Sequence, residues 1–276
     1  MVGSVSKDFG ATDAVNLARY PIDDLQSPAG AAFAAECRRT FAETGLCMLH
    51  DFVHPAAMDV MIDETTAVAD KAFYCRNTHN AYLTADDESL PADDLRRRQE
   101  STFVGSIAYD MIPENALLRR VYNWDPLKEF IAAVLGKPVL YRFADPLGAC
   151  SINVFSDGGQ HGWHFDESEF TVTLMVQPPE QGGAFEYVPG IRGRTDEQDI
   201  VEAVLAGGRD GVETLPFTPG TLLIFGGQKT LHRVTEVRGA RLRLVPVLCY
   251  SVEPDLKNSD EVRMLFWGRT GSEAAA

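Results

Sequence analysis

Between residues 139 and 251 the chain breaks into short apolar runs separated by turns rich in glycine and proline. The runs fall at 139–143, 151–155, 161–166, 170–177, 184–188, 221–225, 231–237 and 241–251. Eight short strands with such turns cannot bury their apolar faces in one flat layer. They predict two sheets closed on each other as a double-stranded β-helix, or jelly roll. An insertion at 190–211 interrupts the pattern, and its stretch 197–205 reads as a short helix.

Ahead of the strands the periodicity is helical. Phe33, Cys37 and Phe41 recur every four residues, which predicts an amphipathic helix over 29–44 that Gly45 ends. A strand follows at 46–53. His54-Pro55 then opens a helix to about residue 74, with Met58, Ile62, Thr65, Ala69 and Phe73 as its buried stripe. Residues 76–98 are polar and Asp-rich without a period, and are expected to be a long loop of the kind that serves as a lid. Two more helices are expected at 114–121 and 126–135. The class is therefore α+β, mainly β, with N-terminal helices packed on a jelly roll. Residues 1–28 read as a polar arm and 29–276 as one catalytic domain. That domain divides into a helical portion 29–136, a core 137–252 and a C-terminal segment 253–276.

Composition narrows the partners. The 276 residues, 45% hydrophobic, suffice for one large core. A formal charge of −15 repels phosphate backbones and anionic lipid, which argues against nucleic acid and membrane partners and for a small molecule. Arg96-Arg97-Arg98 is the one basic run, offset by Asp93, Asp94 and Glu100. Five scattered cysteines without a CxxC pair favour a reducing compartment. With no apolar stretch over 1–10 and no run near ~20 apolar residues, the expected location is the cytoplasm. Oligomeric state is not legible.

The chemistry concentrates at His164-Phe165-Asp166. Residues two apart on a strand share a face, so the imidazole and the carboxylate project together from backbone positions about 7 Å apart. A third ligand from a distant strand would complete the 2-His-1-carboxylate triad that suits non-haem Fe(II) and leaves coordination positions open. His232 is the candidate. Sixty-six residues separate it from Asp166, so only a closed double sheet can bring them together. His50 and His54, four apart but flanking a strand end and Pro55, are assigned to structure.

Three segments, HGWHFDESEF (161–170), GGAFEYVP (182–189) and LHRVTEVRGARLRLVPVLCY (231–250), resemble the Fe(II)/2-oxoglutarate-dependent oxygenases. Within them they are similar to a bacterial group acting on free amino acids that contains both hydroxylases and radical halogenases. The resemblance covers roughly residues 30–270. It implies a jelly roll, Fe(II) held by His164, Asp166 and His232, and the cosubstrates 2-oxoglutarate and O2. It implies an Arg on the last strand for the far carboxylate of 2-oxoglutarate. Arg241 has the favoured spacing and Arg243, on the same predicted face, is the rival. Halogenases of the group carry a small residue in place of the carboxylate so that chloride can bind. Asp166 therefore implies hydroxylation of an unactivated C–H, with desaturation or oxidative cyclisation open to the same cofactor set.

The resemblance also directs His161, Glu167 and Trp267 toward the substrate: Glu167 could pair an ammonium, an Arg of the 96–98 run a carboxylate, and Trp267 could close the pocket. Val247 and Cys249 depart from the polar side chains expected at those positions, which weakens the case for lysine or ornithine. Readings of another class are a cupin-like metal isomerase or hydrolase, opposed by His-x-Asp in place of His-x-His, and a non-catalytic 2-oxoglutarate sensor, opposed by the complete ligand set.

Overall fold

The computed structural model describes residues 9–272. Its helices are α1 (Ala11–Ala14), α2 (Pro28–Thr44), α3 (Pro55–Thr66), α4 (Leu117–Tyr122), α5 (Asp125–Leu135), α6 (Glu197–Leu205) and α7 (Asp260–Trp267). Local chemistry sets their ends. In α2 the Ser27 hydroxyl accepts from the amide of Gly30, Pro28 stands at the first helical position, and Gly45 closes the helix at φ 74.

The strands are β1 (Leu46–Leu49), β2 (Phe73–His79), β3 (Glu100–Ile107), β4 (Tyr141–Arg142), β5 (Cys150–Phe155), β6 (Gln160–His164), β7 (Thr171–Leu174) and β8 (Gln181–Gly182). They continue as β9 (Phe185–Val188), β10 (Glu213–Thr214), β11 (Leu222–Phe225), β12 (Leu231–Val234), β13 (Val237–Arg238), β14 (Arg243–Leu248) and β15 (Tyr250–Ser251). Among the described residues the main sheet runs β1-β11-β7-β14-β5-β3-β6-β12-β9-β10, with β2 also on β3. All these pairings are antiparallel.

Strand β3 is the fold line. Its residues Gly105–Ile107 pair with β5, while Thr102 and Phe103 pair with β6. The two halves curl toward each other about this shared strand, as the jelly-roll expectation requires. One apolar core joins α2–α5 to the outer face of the larger half through Phe130, Ile131, Ile152, Val172 and Ile224. A second, under α6, holds Trp163, Phe165, Val201 and Leu231.

Four local expectations need correction. The second helix ends at Thr66 instead of about residue 74, and Phe73 is 42% exposed. Residues 73–79 pair with 100–107 as an antiparallel ribbon, so the loop expected from 76 begins at residue 80. The polar arm, as far as it lies within the described residues, is packed: Ala14, Val15, Tyr20 and Ile22 are buried in the main core. Residues 1–8 of that arm lie outside the described residues, as do residues 273–276 of the C-terminal segment. Within that segment the chain forms α7, a helix the sequence reading did not anticipate.

Candidate metal centre

Strands β6 and β12 bring the two imidazoles together. His232 lies directly opposite His164 in their ladder. Each ring donates from Nδ1 to a backbone carbonyl two residues earlier, His164 to Gly162 at 2.7 Å and His232 to Thr230 at 2.8 Å. That fixes the tautomer and turns both Nε2 lone pairs inward. Asp166 follows the end of β6, where its amide donates to the Gly227 carbonyl at 3.1 Å. Its Oδ1 stands 3.5 Å from His164 Nε2 and 3.4 Å from His232 Nε2. Three ligand atoms of the right kinds thus converge within 4.8 Å.

The carboxylate is held from behind. Thr171 Oγ1 donates to Asp166 Oδ2 at 2.7 Å. A methyl group at Gly227 would sit 2.0 Å from the same oxygen, so only glycine fits there. Burial by itself would push the Asp166 carboxyl up, but the two imidazoles outweigh it and hold it well below the usual carboxylate range. Burial, then the neighbouring His232, lowers His164, which keeps it a neutral ligand. The donor set suits a borderline-hard divalent ion such as Fe(II).

A one-residue irregularity in the ladder explains His161. Between His232 and Val234 the partner strand advances from His164 to His161, three residues against two. Strict alternation would put His161 on the opposite face from His164; the bulge returns it to the same cavity, stacked on the His164 ring at 3.8 Å. Burial lowers the His161 pKa well below the ordinary imidazole value, with His164 and His79 adding to the effect. His79, missed by the sequence reading because its strand was taken for loop, completes a second cluster with His161 and His164. Its nitrogens already lie 2.8 Å from Thr102 Oγ1 and 3.1 Å from the Asn80 carbonyl, so it serves as a packing residue behind the centre.

The triad opens onto a cavity of about 280 Å³ between the two halves of the sheet. Arg243, on β14, lines it. The side chain is 2% exposed, lies over the Phe155 ring at 5.0 Å and leaves its Nε without a partner. Burial pushes its pKa down to about 9. No carboxylate among the described residues pairs with it. A buried guanidinium in this condition is a socket for an anion. Arg241, which the spacing favours, lies elsewhere: β14 begins only at Arg243, and Arg241, in the turn before it, is exposed and donates to the Pro179 carbonyl at 2.8 Å.

The remaining sequence candidates divide. Trp267, at the end of α7, is 8% exposed, lines the cavity and leaves its indole N–H without an acceptor. Glu167 is exposed and outside the lining, because the chain has left the strand at Asp166. The Arg96, Arg97 and Arg98 side chains are engaged elsewhere, with Asp94, with Asp86, and with the Leu205 carbonyl and Glu100. His50 approaches Thr221 Oγ1 at 3.3 Å and His54 precedes α3, both away from the triad. Thr171, Thr173, Ser151 and Asn153 line the cavity and were not singled out from the sequence, since polar residues facing inward on a strand carry no motif.

Solved structures share the fold. The epimerase SnoN from nogalamycin biosynthesis, described as non-haem and α-ketoglutarate-dependent, is 13% identical with a TM-score of 0.55, over 80% of this chain and 83% of its own. AviO1 from Streptomyces viridochromogenes Tue57 is 15% identical with a TM-score of 0.54, over 81% and 96%. HygX from Streptomyces hygroscopicus, solved with nickel, 2-oxoglutarate and hygromycin B bound, is 13% identical with a TM-score of 0.51, over 78% and 86%. No curated protein matches the chain in sequence. The family model described as Halogenase D matches residues 30–264, nearly the whole of the described chain, and by that match the protein belongs to the Halogenase D family.

Proposed function

We propose that this protein is an Fe(II)- and 2-oxoglutarate-dependent oxygenase that hydroxylates an unactivated C–H of a small amino acid or amino-acid derivative. The observation that carries the reading is the pairing, in one cavity, of the His164–Asp166–His232 cluster with the unpartnered Arg243 guanidinium. When bound, iron supplies the redox chemistry by which 2-oxoglutarate, O2 and R–H become succinate, CO2 and R–OH. The protein's part is positional. His164 and His232 would offer Nε2 and Asp166 would offer Oδ1, while Arg243 would hold the far carboxylate of 2-oxoglutarate in a bidentate grip. The aromatic walls Phe155, Phe185 and Phe225 keep water from the reacting C–H.

Asp166 supports hydroxylation over halogenation. Its carboxylate, wedged between Thr171 and Gly227, fills the space a halide would need. The five free cysteines, four of them buried, support a cytoplasmic setting, in which specialised metabolism is the proposed context.

The test is purified protein with Fe(II), ascorbate, 2-oxoglutarate and a mixed amino-acid pool. Succinate should form only with iron present and rise with the true substrate, which gains one oxygen by mass. Protein that binds no 2-oxoglutarate and forms no succinate under these conditions would end the proposal.

A further inference from the structure

Building on that reading, we propose that the part of the substrate enclosed beside the metal centre carries no formal charge, so that basic and acidic amino-acid side chains are excluded from it. Besides the Cys249 thiol, which burial keeps uncharged, the ionisable groups lining the cavity are His161, His164, His232, Asp166 and Arg243. The metal and the cosubstrate account for the last four. His161 lies flat against His164 and is an imidazole, not a counter-ion for either end of a zwitterion. Every other polar side chain on the wall is neutral: Thr171, which is engaged with Asp166, and Ser106, Ser151, Asn153, Thr173, Asn258 and the indole of Trp267.

The residues that could have supplied charge are directed elsewhere. Glu167 is exposed, and the three consecutive arginines at 96–98 are held by their own partners. Val247, on the strand that also carries Arg243, and Cys249, just past its end, bring apolar surface to the lining. An ammonium or second carboxylate enclosed here would be desolvated without an opposite charge, an arrangement proteins avoid.

Positive features say what fits instead. Two buried polar atoms of the wall, Trp267 Nε1 and Thr173 Oγ1, have no hydrogen-bond partner, and an indole N–H can only donate. They call for an uncharged group with an acceptor, such as a carbonyl, an amide or a hydroxyl. Gly148 makes this end of the cavity what it is: a methyl there would sit 2.2 Å from Asn258 Nδ2 and 2.8 Å from Trp267 Cη2. Glycine at this position leaves the space that the amide and the indole occupy beside it. A charged group elsewhere on the substrate can stay in water at the half-exposed Asn258 end.

The experiment is calorimetric titration, without O2, of the Fe(II)-loaded protein with 2-oxoglutarate first and then with isosteric pairs. The pairs are 2-aminoheptanoate against lysine and norleucine against ornithine, each also as the N-acetyl amide, with glutamine against glutamate. Neutral members should bind at least ten-fold more tightly than their charged isosteres. A lysine, ornithine or glutamate that binds within ten-fold of its neutral isostere would overturn the proposal, as would a panel in which no neutral member binds.

Ser151→Asp, and Val247→Asp on the facing strand, place a carboxylate on the wall. Either should move the preference toward lysine and ornithine by ten-fold or more, and unchanged selectivity in both would count against the assignment. Failure of the first titration, with 2-oxoglutarate, would instead remove the oxygenase reading itself.

Discussion

The Thr171 hydroxyl donates to Asp166 Oδ2 at 2.7 Å, on the side of the carboxylate away from the two imidazoles. One oxygen is thereby engaged by the protein and the other is left for a metal. Thr171→Val removes the donor at nearly constant volume and frees the carboxylate to rotate. Partners of metal ligands are worth about 10–100-fold in affinity, so Fe(II) or Co(II) binding should weaken in that range, and Thr171→Ser should restore it. Calorimetric metal titration of the three proteins decides this.

Asp166→Gly should abolish hydroxylation while 2-oxoglutarate binding through Arg243 persists. The cleared space next to Thr171 should then admit chloride. Product analysis by mass, with and without chloride, checks both statements, and a variant that hydroxylates at the parent rate would remove Asp166 from the ligand set.

Arg243 and Arg241 provide a paired comparison. Losing one partner of a buried charge pair costs roughly 2–5 kcal/mol, so Arg243→Met should raise the 2-oxoglutarate Kd by at least ~30-fold. Arg241→Met, on the exposed turn, should leave it within about two-fold, in the range of surface contacts. Equal effects would mean that the turn before β14 folds inward.

Acid should weaken the metal-free protein. His79, His161 and His164 all lie below the ordinary value of 6.5, burial being the largest cause for each. Below 6.5 the unfolded chain binds protons that the folded chain resists, so this contribution is fully present above 6.5 and fades as pH falls through the lowered values. The melting temperature should drop from pH 7.5 to pH 5. Added metal, which also needs neutral imidazoles, should lose affinity in the same direction. A flat melting temperature over this range would contradict the burial of the three rings.

The convergence of His164, Asp166 and His232 could be read from the chain because the first two stand two apart at the end of β6, and because closing the strands gives His232 one place to go. Arg243 was harder. A strand expected from residue 241 puts both arginines on one face, and spacing after His232 favours Arg241, but the turn up to residue 242 takes Arg241 off the strand. The ribbon of β2 and β3 left no periodic trace because β2 is an edge strand with Phe73 and Tyr74 exposed. Buried Val15, Tyr20 and Ile22 stand too far apart in a polar segment to form a pattern, although each fills a place in the core. His161 reaches the cavity through a bulge, which no regular period predicts.

His164 and His232 face one another across a single ladder. Sliding either strand by one residue would turn its imidazole to the outside of the barrel. An ion gripped by both rings would therefore act as a rivet, and chelation would be energetically linked to correct alignment of β6 with β12. Loaded protein should open last along this seam, so that slowed amide hydrogen exchange at residues 160–164 and 231–234 becomes a direct gauge of occupancy.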